Sequence, residues 1–187
     1  MGILDYLLDQ IRLPAMEAVP DFRSITMNRL GRDILESTGA RIRSTWGGNQ
    51  YMPRPNIIYL NRLGETAPAR WAKFMLDRDQ SVEMSFYHEL GHAFVHVFGI
   101  DSDEEANSLF GDFSTASPGG LGVLRASSRR KKEGYLTRYA MEHPEEDFAD
   151  CFAYVVFNGM NIGDRVEDRR VHEKLLYIQT LINRHIV

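Results

Sequence analysis

Cysteine is almost absent from this chain of 187 residues, and Cys151 is the only one. A single thiol closes no intrachain disulfide, so nothing here calls for an oxidising compartment. Within "ADCFAYVVF" it reads as a small buried hydrophobe. Long apolar runs are missing as well, and no stretch approaches the ~20 residues that span a bilayer. The opening "MGILDYLLDQIRLP" has neither the basic start nor the long apolar run of a secretory leader. Tyr6 stands where a myristoylation signal carries Ser or Thr. A cytoplasmic chain is expected, with no membrane partner and with export by a non-classical route left open. Positive charge is not in excess: 22 Lys and Arg face 26 Asp and Glu, a net charge of −4. No global field therefore invites nucleic acid. The one basic cluster, "RASSRRKK" from Arg125 to Lys132, reads as a solvated loop beside a helix, with an acidic partner as the alternative.

What is present is ordinary for a globular domain, with 43% apolar and 26% charged residues. A chain of this length buries a core without disulfides or structural metal, so a metal would serve function. One domain over residues 1–187 is expected, with no internal repeat. Ile3, Leu4, Leu7, Leu8 and Ile11 recur at helical spacing up to Pro14, and a second helix begins near Asp21, weakened by Gly31 and ended by "STG" at 37–39. "ARIRSTW" (40–46) alternates like a strand, "GGN" (47–49) is a turn, and Ile57–Leu60 is a short strand. The prolines just before that strand suggest an edge position. Helices follow in "ARWAKFMLD" and in "SVEMSFYHELGHAFVHVFG", the latter ended by Gly99. "DSDEEANSLF" reads as a helix capped by Asp101 or Ser102. "STASPGGLG" (114–122) is a flexible loop, "HPEEDFADCFAYVVFNG" a helix opened at Pro144, and a last helix spans about Glu167 to Arg184.

The chemistry gathers in "HELGH". His88 and His92 lie four residues apart, so on a helix they differ by roughly 40° and project from one face. Two imidazoles so placed can reach a single zinc ion. Glu89, about 100° further round, does not ligate but can lean over the open coordination position and take a proton from water. Gly91 leaves room for backbone or substrate to come close. A catalytic zinc needs a third protein ligand and one open position. His96 fails, because it lies roughly 12 Å along the helix axis from His88; it reads as a core or packing histidine. The metzincin pattern fails too, since residue 98 is Phe.

Two acidic clusters remain. In "HPEEDFAD", Glu146 and Asp150 share one helix face, which suits a ligand carboxylate and a carboxylate that receives the free N–H of a ligating histidine. Glu145 is the fallback ligand. The helix dipole accounts for Glu145 and Asp147, but not for Asp150 in its apolar surroundings. The alternative is the Asp103–Glu105 cluster, from which the chain would have to turn sharply back to the metal.

"HELGH" followed by "EDFAD" resembles the gluzincin peptidases, whose third ligand is a helix-borne glutamate, with an acid four positions later that buttresses a histidine. More narrowly, "YAMEHPEEDFAD" resembles the lethal-factor-like metallopeptidases, which carry a tyrosine seven residues before the ligand glutamate. Tyr139 has that spacing from Glu146. The resemblance implies that Tyr139 donates its hydroxyl to the oxyanion, with Tyr135 as alternative. It covers Met84 to Phe157 and leaves the first eighty residues without a family signature. Asp150 stands where that family usually has glutamate. "HELGHAFVH" with "EEANSLF" is also similar to the repressor-cleaving peptidases of mobile elements, although "GDFS" follows where their motif continues differently.

The resemblance implies an α+β, zincin-like fold, mostly helical, with a small sheet beside the HExxH helix. Residues 1–80 would form N-terminal helices and the sheet, and residues 81–187 the metal-site helices. One zinc per chain is expected on His88, His92 and Glu146, with Glu89 and Tyr139 catalytic and Asp150 behind the ligands. The expected partner is a peptide or protein substrate, held extended along the Ile57–Leu60 strand. A non-catalytic module of zincin fold and a zinc hydrolase of other bonds are the rival readings.

Overall fold

The computed structural model describes residues 27–45, 48–61, 78–115, 133–162 and 166–186. The first expected helix, the "ARWAKFMLD" helix, the basic cluster and residues 116–122 of the flexible loop lie outside these segments. The described chain runs α1 (Arg29–Thr38), β1 (Arg41–Thr45), β2 (Gln50–Met52), β3 (Ile57–Asn61), α2 (Arg78–Phe98), α3 (Glu104–Phe110), α4 (Pro144–Phe157) and α5 (Arg169–His185). Short 3-10 turns at Ile100–Ser102, Phe113–Thr115 and Tyr139–Met141 join them. The outcome is the expected mostly helical α+β architecture with a three-stranded sheet. No described helix is long and apolar enough to cross a membrane.

Local chemistry explains the helix ends. Asn28 opens α1 by accepting the Gly31 N–H at 2.8 Å, and Gly39 closes it in the left-handed conformation at φ 62°. Asn28 does more than cap: its amide donates to the Val156 carbonyl at 2.6 Å, and its backbone N–H to the Tyr87 hydroxyl at 2.9 Å. Gly31, expected only to weaken the helix, is a packing necessity, because a Cβ there would collide with the Tyr87 ring. The "DSDEEANSLF" helix is capped one or two residues later than expected. Gly99 turns the chain at φ 66°, Ile100–Ser102 form a 3-10 turn, and Asp103 caps α3 through the Ala106 N–H. Asp168 similarly starts α5.

The sheet corrects one expectation. Ile57–Asn61 is the central strand, in the order β1-β3-β2. It runs parallel to β1, with Arg41 beside Ile57, and antiparallel to β2, with Tyr51 beside Ile58. Pro53 and Pro55 sit in the turn that joins β2 to β3, where the Asn56 N–H bonds the Pro53 carbonyl at 2.9 Å. The prolines therefore cost the ladder nothing, and the proline-free "IIYL" pairs on both sides. Burial of Ile57, Ile58 and Leu60 agrees with a strand covered on both faces. The outer strand on the antiparallel side is β2, which the sequence reading passed over.

Helices α2 and α4 cross at closest range where Gly91 faces α4. A Cβ at 91 would lie 3.0 Å from the Ala149 Cα and 3.2 Å from the Phe152 Cβ. The space expected beside the motif is thus taken by the α4 backbone. Phe94, Phe148 and Phe152 fill the crossing, and α5 covers it with Val171, Leu175, Ile178 and Leu181. Cys151 is buried within this core, as expected.

One charged pair is buried there. Lys174 Nζ reaches Asp147 Oδ2 at 2.5 Å and the Gly134 carbonyl at 2.8 Å, with the Tyr135 ring 4.7 Å away. Asp147 is therefore more than an acid attracted by a helix dipole. Burial pushes its carboxyl up to about 6, against the pull of Lys174.

Gly91→Ala tests the crossing. A methyl group pressed against a neighbouring backbone should destabilise the protein by ~1–3 kcal/mol, read as a lower denaturant midpoint at unchanged slope. A variant as stable as the parent would contradict the close approach.

Candidate metal centre

Helix α2 presents His88 and His92 one turn apart towards the first turns of α4. Their Nε2 atoms lie 3.0 Å from each other. Glu146 Oε2 lies 3.0 Å from His88 Nε2 and 3.6 Å from His92 Nε2. Zinc bonds of ~2.0–2.1 Å at tetrahedral angles hold neighbouring ligand atoms ~3.3 Å apart. The triangle matches that spacing, and its N, N, O donor set suits zinc. The residues therefore fit the metal that the motif implies.

The other nitrogen of each ring is held. His88 Nδ1 faces Asp150 Oδ1 at 2.9 Å, and His92 Nδ1 faces Glu145 Oε1 at 2.9 Å. A carboxylate behind Nδ1 favours the proton there and leaves Nε2 to turn toward a metal. Asp150 occupies the position expected for it. Glu145, weighed as a fallback ligand, lies behind His92 instead of in the triangle. Its adjacency to Glu146 could have suggested this, but the dipole explanation was sufficient at the level of sequence.

Electrostatics follow from the contacts. Burial disfavours a charged His92 ring, yet hydrogen bonds with Glu145 and Glu146 outweigh it and hold the pKa well above the ordinary value. Burial would raise the carboxyl of Glu146, but its bonds to His88 and His92 hold it far below the usual range. Glu145 is lowered in the same way by His92.

The remaining predicted residues divide clearly. Glu89 is buried on α2, and its charge is felt at His92. Tyr139 sits in a 3-10 turn with its ring edge-on to His88, centroids 6.1 Å apart. Tyr135 lies near Lys174, in a different cluster. Asp103 spends its carboxylate on capping α3 and on the Tyr177 hydroxyl at 2.9 Å, and Glu104 and Glu105 are exposed. Among the described residues they join no metal-binding group. His96 is exposed beside the Tyr51 ring, at 6.2 Å, and is not a core histidine. Tyr51 itself was missed. Burial, and then the nearby charge of Glu145, raises its hydroxyl pKa, and its ring contact with His96 places β2 beside α2.

Comparison with known proteins agrees with this geometry. The model of a family described as "putative zinc-binding metallo-peptidase" matches residues 75–175, more than half of the chain. No curated protein and no solved structure matches it.

The raised His92 pKa has a consequence for metal uptake. Without metal, contacts with Glu145 and Glu146 hold the His92 proton more tightly than a free imidazole holds its own, and zinc must displace it. Apparent zinc affinity should therefore climb with pH, up to about tenfold per unit, and level off above the raised pKa. Calorimetry in buffers of different ionisation enthalpy should detect proton release on binding. Affinity that does not change with pH would contradict the assignment.

Proposed function

Because the chain belongs to this family of zinc-binding metallopeptidases, we propose that it is a gluzincin-type endopeptidase using one zinc ion. His88, His92 and Glu146 hold the metal. The observation that carries this reading is the triangle of His88 Nε2, His92 Nε2 and Glu146 Oε2, with separations of 3.0, 3.0 and 3.6 Å. Bound zinc supplies a Lewis acid and brings the pKa of water toward ~7.

The other roles belong to the chain's own groups. Glu89 takes a proton from the attacking water and returns it to the leaving amine, the general base and acid in turn. Tyr139 donates its hydroxyl to the oxyanion that develops at the scissile carbonyl. Its proximity to His88 supports that role. Asp150 and Glu145 keep the two imidazoles in the orientation that turns Nε2 inward. The substrate is an extended peptide, held by main-chain hydrogen bonds along β2, an outer strand of the described sheet whose Tyr51 stands beside His96 of α2. This replaces the Ile57–Leu60 strand, whose two edges are both occupied.

Metal analysis and a peptide-library digest test the proposal together. Purified protein should carry close to one zinc per chain and lose cleavage on chelation. Glu89→Gln should keep the metal and lower kcat by ~10²–10⁴. Tyr139→Phe should lower kcat by about 10² with KM less affected. A zinc-loaded protein that cleaves nothing in the library would overturn the peptidase reading and leave a non-catalytic module or a zinc hydrolase of other bonds.

A further inference from the structure

One buried hydroxyl touches both halves of the site. Thr137 is 3% exposed and lies between Gly134 and the turn that carries Tyr139. Its Oγ1 donates to Asp150 Oδ2 and accepts the Ala140 N–H at 3.1 Å. The other oxygen of Asp150 faces His88 Nδ1 at 2.9 Å. Ala140 directly follows Tyr139 within the Tyr139–Met141 turn. We propose that Thr137 is a positioning residue: through Asp150 it sets the orientation of His88, and through the turn it sets the place of Tyr139. The inference rests on the zinc-peptidase reading for the roles of those two residues.

The direction of each bond follows from chemistry. A carboxylate only accepts and a backbone N–H only donates, so the single hydroxyl proton goes to Asp150 and a lone pair serves Ala140. Asp150 is 0% exposed, so no bulk water can replace a donor lost from its outer oxygen. A carboxylate that loses one of its donors is aimed less firmly, and so is the imidazole it holds. The segment does not depend on Thr137 for its existence. The Gly134 N–H bonds Asp168 Oδ2 at 2.6 Å, and the Gly134 carbonyl accepts from Lys174 at 2.8 Å, so α5 fastens the segment independently. Losing the hydroxyl should therefore loosen aim without unfolding the turn.

Thr137→Val removes the hydroxyl at nearly constant shape, and Thr137→Ser keeps it. Three readings separate them: zinc affinity by chelator competition, kcat and KM on a cleaved peptide, and the His88 Nδ1–H signal of the metal-free protein by NMR. The valine variant should bind zinc about tenfold more weakly and turn over about tenfold more slowly, with KM little changed. Its His88 N–H should exchange faster. Serine should restore all three. Leu175→Ala, a core truncation away from this bond network, should lose stability yet keep zinc affinity. If valine does not fold, Thr137→Ala takes its place with the same readings.

Parental zinc affinity and His88 exchange in the valine variant would overturn the proposal, as would serine behaving like valine. A parent protein that binds no zinc and cleaves nothing would instead defeat the peptidase reading. In that event His88 exchange in the metal-free variants still decides whether Thr137 holds His88.

Discussion

Two carboxylates of one helix grip two imidazoles of another from behind, and the rest of the centre depends on that grip. Asp150 and Glu145 each lie 2.9 Å from an Nδ1, so both Nε2 atoms face Glu146. A histidine with free rotation about its side-chain bonds would sample many directions and lose entropy on meeting a metal. Here that cost is met during folding, when α2 and α4 pack. Glu145 comes from the first turn of α4, where the positive end of the helix dipole also favours negative charge, whereas Asp150 lies deeper in the helix and is held by its hydrogen bonds. Three carboxylates and two imidazoles can then share one partly buried site, because each carboxylate lies within hydrogen-bond distance of a ring nitrogen.

Close approach of the two helices makes the distances possible. Gly91 lies one residue before His92, and the lack of a side chain there lets the α4 backbone sit against α2. Helix α4 is buried from Asp147 to Val156. Glu146 and Asp150 face the histidines, while Asp147 faces Lys174 on α5. Lys174 also reaches the Gly134 carbonyl, so the same helix that backs the core fastens the segment leading to Tyr139. Packing and site are built from the same three helices at this point.

Much of this was legible from residue spacing. His88 and His92 had to share a face because helical geometry allows nothing else, and Glu146 and Asp150 likewise. The helix from Pro144 and the one ending at Gly99 were marked by residues whose backbone limits are strict. Errors arose where a residue's meaning depends on its neighbours in space. Pro53 and Pro55 suggested an edge strand, but they occupy a turn and leave the strand after them free to be central. Glu145 and Asp147 both looked like dipole-favoured surface acids. One holds His92 and the other is buried against Lys174. Thr137 carried no signal at all, since a single threonine in an irregular segment has no periodicity to betray its burial.

Local order along the chain therefore determined the motif, the face it presents and the helices that bear it, because hydrogen-bonded helical geometry extends only a few residues. Which acid meets which imidazole was decided by the tertiary fold. That choice turns on how α2 and α4 cross, and the crossing is set by side-chain volumes brought together from more than fifty residues apart in sequence.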